Sequence, residues 1–201
     1  MNDTTHTAIG LGQPDEARSF LAAHPDVESV QLVITDANGV GRGKNIAREE
    51  LAALYGPGRN VAGSILGLDI TGEDVEETGL VWSVGDADLA CRPVTGSLSR
   101  APWLARPSAQ VLGTMFELDG RPAKADPRHV LARAVERLRA LGFTPVVAVE
   151  LEFYLLQRGP DGRLRPASGL VSGTARGRID AYGLGRLDPM APLFDDLYAA
   201  A

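Results

Sequence analysis

The sequence is poor in the residues that build disulfide scaffolds, zinc knuckles and membrane anchors. It has one cysteine, Cys91, and three histidines among 201 residues. A lone thiol has no internal disulfide partner, and one cysteine cannot spell a zinc knuckle, so the cysteine usage fits a reducing cytoplasm. Cys91 reads as a small buried apolar side chain. No apolar run approaches the roughly 18 to 20 residues that cross a bilayer. Residues 1–12 lack the basic start and apolar run of a secretory signal and do not read as a transit peptide, so a loose arm is expected there. Basic side chains are outnumbered: 20 against 26 acidic ones give a formal charge of −6. That balance opposes binding to nucleic acid or to an anionic membrane surface. A Walker-type glycine-rich phosphate loop is also missing. The expectation is a soluble, cytoplasmic protein without covalent staples, long enough to bury a sizeable core.

What is present is ordinary for a globular chain: 44% hydrophobic and 23% charged residues. Residues 14–24 place Ala17, Phe20 and Leu21 at helical spacing, and Pro25 stops the run. Residues 27–35 are β-branched and apolar, Asp36-Ala37-Asn38-Gly39 is turn chemistry, and Val40 resumes an extended run, which predicts a hairpin. A second helix is predicted over residues 47–55, ended by Gly56-Pro57-Gly58. Residues 60–92 read as loop with short strands. Their tract Glu73-Asp74-Val75-Glu76-Glu77 reads as a solvated face, because neighbouring carboxylates diverge unless the backbone converges them. Residues 110–118 alternate as a strand, followed by the turn Asp119-Gly120.

Asp126-Pro127 is a strong helix start: the aspartate caps free amides, and proline at the first helical position lacks an amide that would be unpaired anyway. Val130, Leu131, Ala134, Val135, Leu138 and Leu141 then trace one face, and Gly142 closes the helix. Residues 143–156 form a long β-rich run ending at Gly159-Pro160-Asp161-Gly162. Residues 163–187 show no periodicity, and residues 189–201 read as the opening turns of another helix.

The most informative piece is Val149-Glu150-Leu151-Glu152-Phe153-Tyr154, which puts two carboxylates where a strand would carry apolar residues. In a strand Glu150 and Glu152 share a face, about 7 Å apart along the backbone. Buried and unpaired they would be costly, so they face water, pair with arginines, or bind divalent cations. Spacing alone favours the solvated or ion-paired reading over the metal site.

The stretch from Asp126-Pro127 to Tyr154 resembles the glutamine synthetase family, in which a helix leads into a strand carrying Glu-x-Glu and an aromatic. Two further segments share the resemblance: Val33-Ile34-Thr35-Asp36-Ala37-Asn38-Gly39-Val40-Gly41-Arg42-Gly43-Lys44, similar to an early hairpin of the family, and Gly85-Asp86-Ala87-Asp88-Leu89, similar to its acidic segment before a proline. The resemblance implies an α+β chain: an arm and short helix over 1–25, a β-grasp-like N-terminal domain over 26–118, and the first part of a catalytic α/β domain over 119–201. It implies Glu150 and Glu152 as metal ligands, each for a different ion, with ATP and Mg2+ or Mn2+ as cofactors. It further implies glutamate, with ammonia or an amine, as substrates, and a ring-like homo-oligomer. Family members are considerably longer, and their remaining site residues fall beyond Ala201. The chain is therefore expected to be incomplete, inactive alone, and to expose the apolar surface of residues 146–156.

Family members that use ammonia commonly carry Asp-Gly-Ser-Ser in a loop of the N-terminal domain, where this chain has Ala62-Gly63-Ser64-Ile65. An acid there would hold an ammonium cation and favour its deprotonation, and Ala62 does neither. Residues 64–73 look more like the γ-glutamylpolyamine synthetase branch, which implies an amine or polyamine acceptor. Asp69 is then the candidate catalytic acid or base near the amine, with turn capping as its equally available role. Two alternatives stay open: ordinary glutamine synthesis from ammonia, and a non-catalytic binding or regulatory module. Arg42-Gly43-Lys44 is given a packing or subunit-contact role and no catalytic one. Trp103 reads as a core or interface anchor, and His6, His24 and His129 read as structural.

Overall fold

A computed structural model describes residues 9–166 and 188–200. The predicted arm falls largely outside them, as do residues 167–187. The chain divides into two compact units, Met1–Pro145 and Val146–Ala201.

The first unit is built on a six-stranded mixed sheet. Helix α1 (Pro14–Ala23) precedes a hairpin of β1 (Ser29–Thr35) and β2 (Gly41–Ala47), as the turn chemistry at residues 36–39 predicts. Gly39 closes that turn at φ 79°, a conformation open to glycine without strain. Along β1 the alternation becomes burial: Val30, Leu32 and Ile34 point into the core, and the residues between them are only partly covered. The predicted second helix is shorter than expected, a 3-10 turn over Arg48–Glu50 running into the single-turn α2 (Leu51–Leu54). Glu50 caps it by accepting from the Ala47 amide at 3.0 Å.

Strands β3 (Arg59–Ala62), β4 (Asp88–Pro93) and β5 (Ser99–Arg100) lead to β6 (Ser108–Phe116), the longest and most buried strand. The sheet order is β2-β1-β6-β4-β3, with β5 also pairing β6. Strand β6 joins the two halves: residues 108–112 pair parallel with β1, and residues 113–116 pair antiparallel with β4. Around it Leu32, Ile34, Ile46, Leu51, Val111 and Met115 form the core with Cys91, which is fully buried as expected. Burial, with Asp126 nearby, pushes the Cys91 thiol up to about 12, so it stays protonated and inert.

Helix α3 (Pro127–Ala140) starts where the sequence places it, with the Asp126 side chain accepting from the Arg128 amide at 2.7 Å. Only His129 of this helix is buried; Val130, Leu131 and Leu141 of the predicted apolar face lie exposed. The compact unit extends past residue 118 because Asp126 and His129 tie the helix back onto β6. Trp103 is more than half exposed, so within this chain it is not a core anchor.

The long strand expected over residues 143–156 is absent: residues 143–155 carry neither helix nor strand. A strand exists only by virtue of a hydrogen-bonded neighbour, and alternation in sequence supplies none. The nearest ladder is a short hairpin of β7 (Leu156–Arg158) and β8 (Leu164–Pro166) around the predicted Gly159-Pro160-Asp161-Gly162 turn. The unpaired run is solvated, with Val146 94% and Leu151 84% exposed, which agrees with the expectation of uncovered apolar surface. Helix α4 (Ala191–Ala200) matches the predicted terminal helix. Among the described residues no helix is long and apolar enough to cross a membrane.

Candidate functional site

Glu150 and Glu152 lie in the unpaired, exposed run of the second unit. They do not line a polar concavity of a curved sheet. As hard oxygen donors they suit Mg2+ or Mn2+ in kind. In number they fall short, because among the described residues no three His, Cys, Asp or Glu side chains converge on a common point. Two carboxylates alone define no ion geometry.

The other candidate, Asp69, sits in a tight loop after β3. Residues 63–67 make a 3-10 turn, and the chain then folds back so that Leu68 bridges Asp74. One oxygen of Asp69, Oδ1, accepts four hydrogen bonds: from the Thr71 amide (2.7 Å), the Thr71 hydroxyl (2.7 Å), the Gly72 amide (2.9 Å) and the Glu73 amide (3.0 Å). The Thr71 hydroxyl foremost, with these amides, holds the carboxyl below the usual range. A carboxylate stabilised in this way is a weaker proton acceptor than a free one. Of the two roles open to Asp69, the geometry is that of turn closure, and the loop it closes presents Ile70 to solvent at its tip.

A second set of polar contacts joins this loop to the β1–β2 hairpin. Asp36 is almost fully buried, yet Oδ1 accepts from the amides of Asn38 (2.8 Å) and Val40 (2.9 Å), and Oδ2 accepts from Arg42 Nε (2.9 Å). Burial by itself would raise this carboxyl; the Arg42 hydrogen bond and the two amides outweigh it, and the net direction is down. Arg42 in turn donates through Nη2 to the Asp69 carbonyl at 2.6 Å, and Asn38 Nδ2 donates to the Leu68 carbonyl at 2.9 Å. A packing role for Arg42 was legible in the sequence; its partner 27 residues away, the Asp69 carbonyl, was not.

A buried polar cluster fastens α3. Asp126 Oδ2 accepts from the Met115 amide (2.6 Å) and the Thr114 hydroxyl (2.8 Å), and His129 Nε2 lies 2.9 Å from the Met115 carbonyl. His129 also meets Phe116 edge to face at 4.9 Å between ring centres. The structural reading of His129 holds. Sequence reasoning gave Asp126 only its cap and missed its second oxygen. Arg48 was missed as well: its guanidinium donates to the carbonyls of Leu21, His24 and Val27, closing the C-terminal end of α1.

Behind the residue 63–67 turn lies a mainly apolar cavity of about 360 Å³, lined by Gly63, Leu66, Leu80 and Leu89 with Glu117 and Lys124 as its charged members. Ala62 ends β3 opposite Asp88 and is half-buried.

Residues 124–201 match the family described as glutamine synthetase, catalytic domain. Over 192 residues the chain is 38% identical to γ-glutamylputrescine synthetase of Escherichia coli (strain K12), covering 94% of this chain and 40% of that protein. It is 33% identical over 147 residues to glutamate–isopropylamine ligase of a Pseudomonas species, covering 70% of this chain and 31% of the relative. A glutamine synthetase of Mycobacterium tuberculosis (strain ATCC 25618 / H37Rv) is 31% identical over 140 residues, covering 68% and 29%. The chain therefore spans 40% or less of the length of these curated relatives, over their N-terminal part. Among solved structures, one described as apo GmaS without ligand has the same fold over 90% of this chain and 38% of that one, with TM-score 0.56 at 19% identity. A second, described as a novel glutamine synthase homolog, aligns at TM-score 0.50 and 28% identity over 57% of this chain and 27% of that one.

Proposed function

Since this chain is a glutamine synthetase relative that carries the N-terminal part of the family's amine-ligating sequences, we propose that it belongs to an ATP-dependent ligase joining the glutamate γ-carboxyl to an organic amine or polyamine. The observation that carries the acceptor reading is Ala62. It is a small, neutral, half-buried residue at the end of β3, and Asp69, in the loop that follows, is already engaged in its own turn. A small neutral side chain there leaves room for a carbon chain and lacks the charge that would hold ammonium. Ordinary glutamine synthesis is the second reading, supported by the similarity to glutamine synthetases at lower identity.

In the proposed reaction the γ-carboxylate of glutamate takes the terminal phosphoryl group of ATP, with ADP leaving, and the neutral amine then attacks the acyl phosphate, forming the amide bond as phosphate leaves and the amine gives up a proton to a nearby base. Glu150 and Glu152 would hold Mg2+ or Mn2+, which when bound neutralises charge on the phosphoryl oxygens. Asp69 is the candidate proton acceptor for the incoming amine only if its second oxygen, Oδ2, does the work. We further read the N-terminal sheet as β-grasp-like with a domain boundary near residue 118, a reading supported by the central parallel pair β1 and β6. The complete enzyme is proposed as a homo-oligomer whose sites lie between subunits.

The test is phosphate release by the full-length protein, with glutamate, ATP and Mg2+, and with putrescine, spermine, a simple monoamine or ammonia as acceptor. Release that needs both glutamate and one of these acceptors is expected. Release that ignores glutamate would contradict the ligase reading.

A further inference from the structure

From the contacts between the β1–β2 hairpin and the loop after β3, we infer that Arg42, fixed by buried Asp36 and assisted by Asn38, is a positioning residue that sets the acceptor loop, residues 68–73, and so tunes how the enzyme binds its amine. The inference rests on the reading that this loop serves the acceptor.

The loop closes on itself through the Asp69 carboxylate, but those bonds are local and say nothing about where the loop sits on the sheet. Its placement comes from two side chains of the hairpin. Arg42 Nη2 holds the Asp69 carbonyl at 2.6 Å, and Asn38 Nδ2 holds the Leu68 carbonyl at 2.9 Å. A guanidinium can act as a ruler only if its own position is fixed. Here Nε is held by Asp36 Oδ2, and the Asp36 side chain is fixed by two hairpin amides. The planar fork thus spans from a buried carboxylate to a loop carbonyl, a two-ended geometry that the point charge of lysine does not reproduce. The loop is fitted to it: a Cβ at Gly72, where φ is +95°, would stand 3.2 Å from Arg42 Nη1. The element that results is a rigid turn bearing exposed Ile70 at a height fixed by the sheet.

A positioning role differs from a merely structural one in what it moves. In the full-length protein, Arg42→Lys and Asn38→Ala should each raise KM for the amine by about tenfold, the weight of one charge-assisted or well-placed hydrogen bond, with KM for glutamate unchanged. Hydrogen exchange on the same proteins should show the amides of Thr71, Gly72 and Glu73 losing protection while those of β6 and α3 keep theirs. Asn38→Ala leaves the Asp36–Arg42 pair intact, so it remains informative if the Arg42 variant folds poorly. Unchanged exchange over residues 68–73 in both variants would overturn the clamp. Parallel rises in KM for amine and glutamate would overturn its acceptor-side role. Failure of the wild type to turn over any amine, with local exchange still responding as expected, would instead refute the acceptor reading and the tuning role with it, leaving only a loop anchor.

Discussion

The hydroxyl of Thr114 donates to Asp126 Oδ2 at 2.8 Å, inside the seam where helix α3 meets strand β6. The same carboxylate oxygen accepts the Met115 amide, and its twin caps the helix at Arg128. One side chain therefore performs two tasks that are usually separate, ending a helix and joining it to a sheet. Asp126→Ala removes the cap, worth about 1 kcal/mol, and takes the acceptor from the buried Met115 amide, costing about 1 to 3 kcal/mol more, while the Thr114 hydroxyl keeps His129 Nε2 at 3.2 Å. Urea unfolding of the chain followed by circular dichroism should show a loss of roughly 2 to 4 kcal/mol. Thr114→Val, which leaves the cap and the Met115 bond in place, should cost about 1 kcal/mol.

Asp36 gives the acid side of the stability profile a definite sign. Its folded carboxyl lies below the ordinary value of about 3.9, held there against the effect of burial by Arg42 and two amides. The stabilisation is therefore fully present above that ordinary value and is lost as pH falls through the lower, folded one. Asp36→Asn should be less stable than wild type at neutral pH, and the difference should shrink on acidification below pH 4. Denaturation midpoints at a series of pH values check this; a gap that widens toward acid would contradict it.

Gly43 makes a steric prediction. Its φ is +145°, and a Cβ built there would stand 1.8 Å from the Leu32 carbonyl oxygen across the β1–β2 ladder. Gly43→Ala must shift backbone rather than a flexible side-chain end, so a cost of about 1 to 3 kcal/mol is expected. Gly39→Ala, where a Cβ meets nothing within 4 Å, carries only the positive-φ strain of +79° and should cost less. Thermal melts of the two variants should rank in that order.

Local elements were largely legible in the sequence, and non-local ones were not. The Asp36-Ala37-Asn38-Gly39 turn and the Asp126-Pro127 start carry their structure within a few residues, so both could be read directly. The pairing of β4 with both β3 and β6 could not, because partners drawn from residues 59–62 and 113–116 share no local signal. The Glu150-x-Glu152 run failed differently: its alternation is that of a strand, but a strand needs a neighbour, and the described residues offer none. The clamp from Arg42 to the residue 68–73 loop was hidden by a bond between a side chain and a distant carbonyl, since any residue type can supply a carbonyl.

If Glu150 and Glu152 are ligands in the full-length protein, Glu150→Gln and Glu152→Gln should each weaken Mn2+ binding by about tenfold or more. Isothermal titration at neutral pH measures this, and unchanged affinity in both variants would remove the two residues from the metal site.

A ratio of specificity constants tests the identity of the acceptor most directly. With the full-length protein, saturating glutamate and ATP, and putrescine, spermine, a monoamine and ammonia assayed in turn, kcat/KM should be higher for at least one organic amine than for ammonia. A higher kcat/KM for ammonia than for every amine would contradict the account and establish glutamine synthesis in its place.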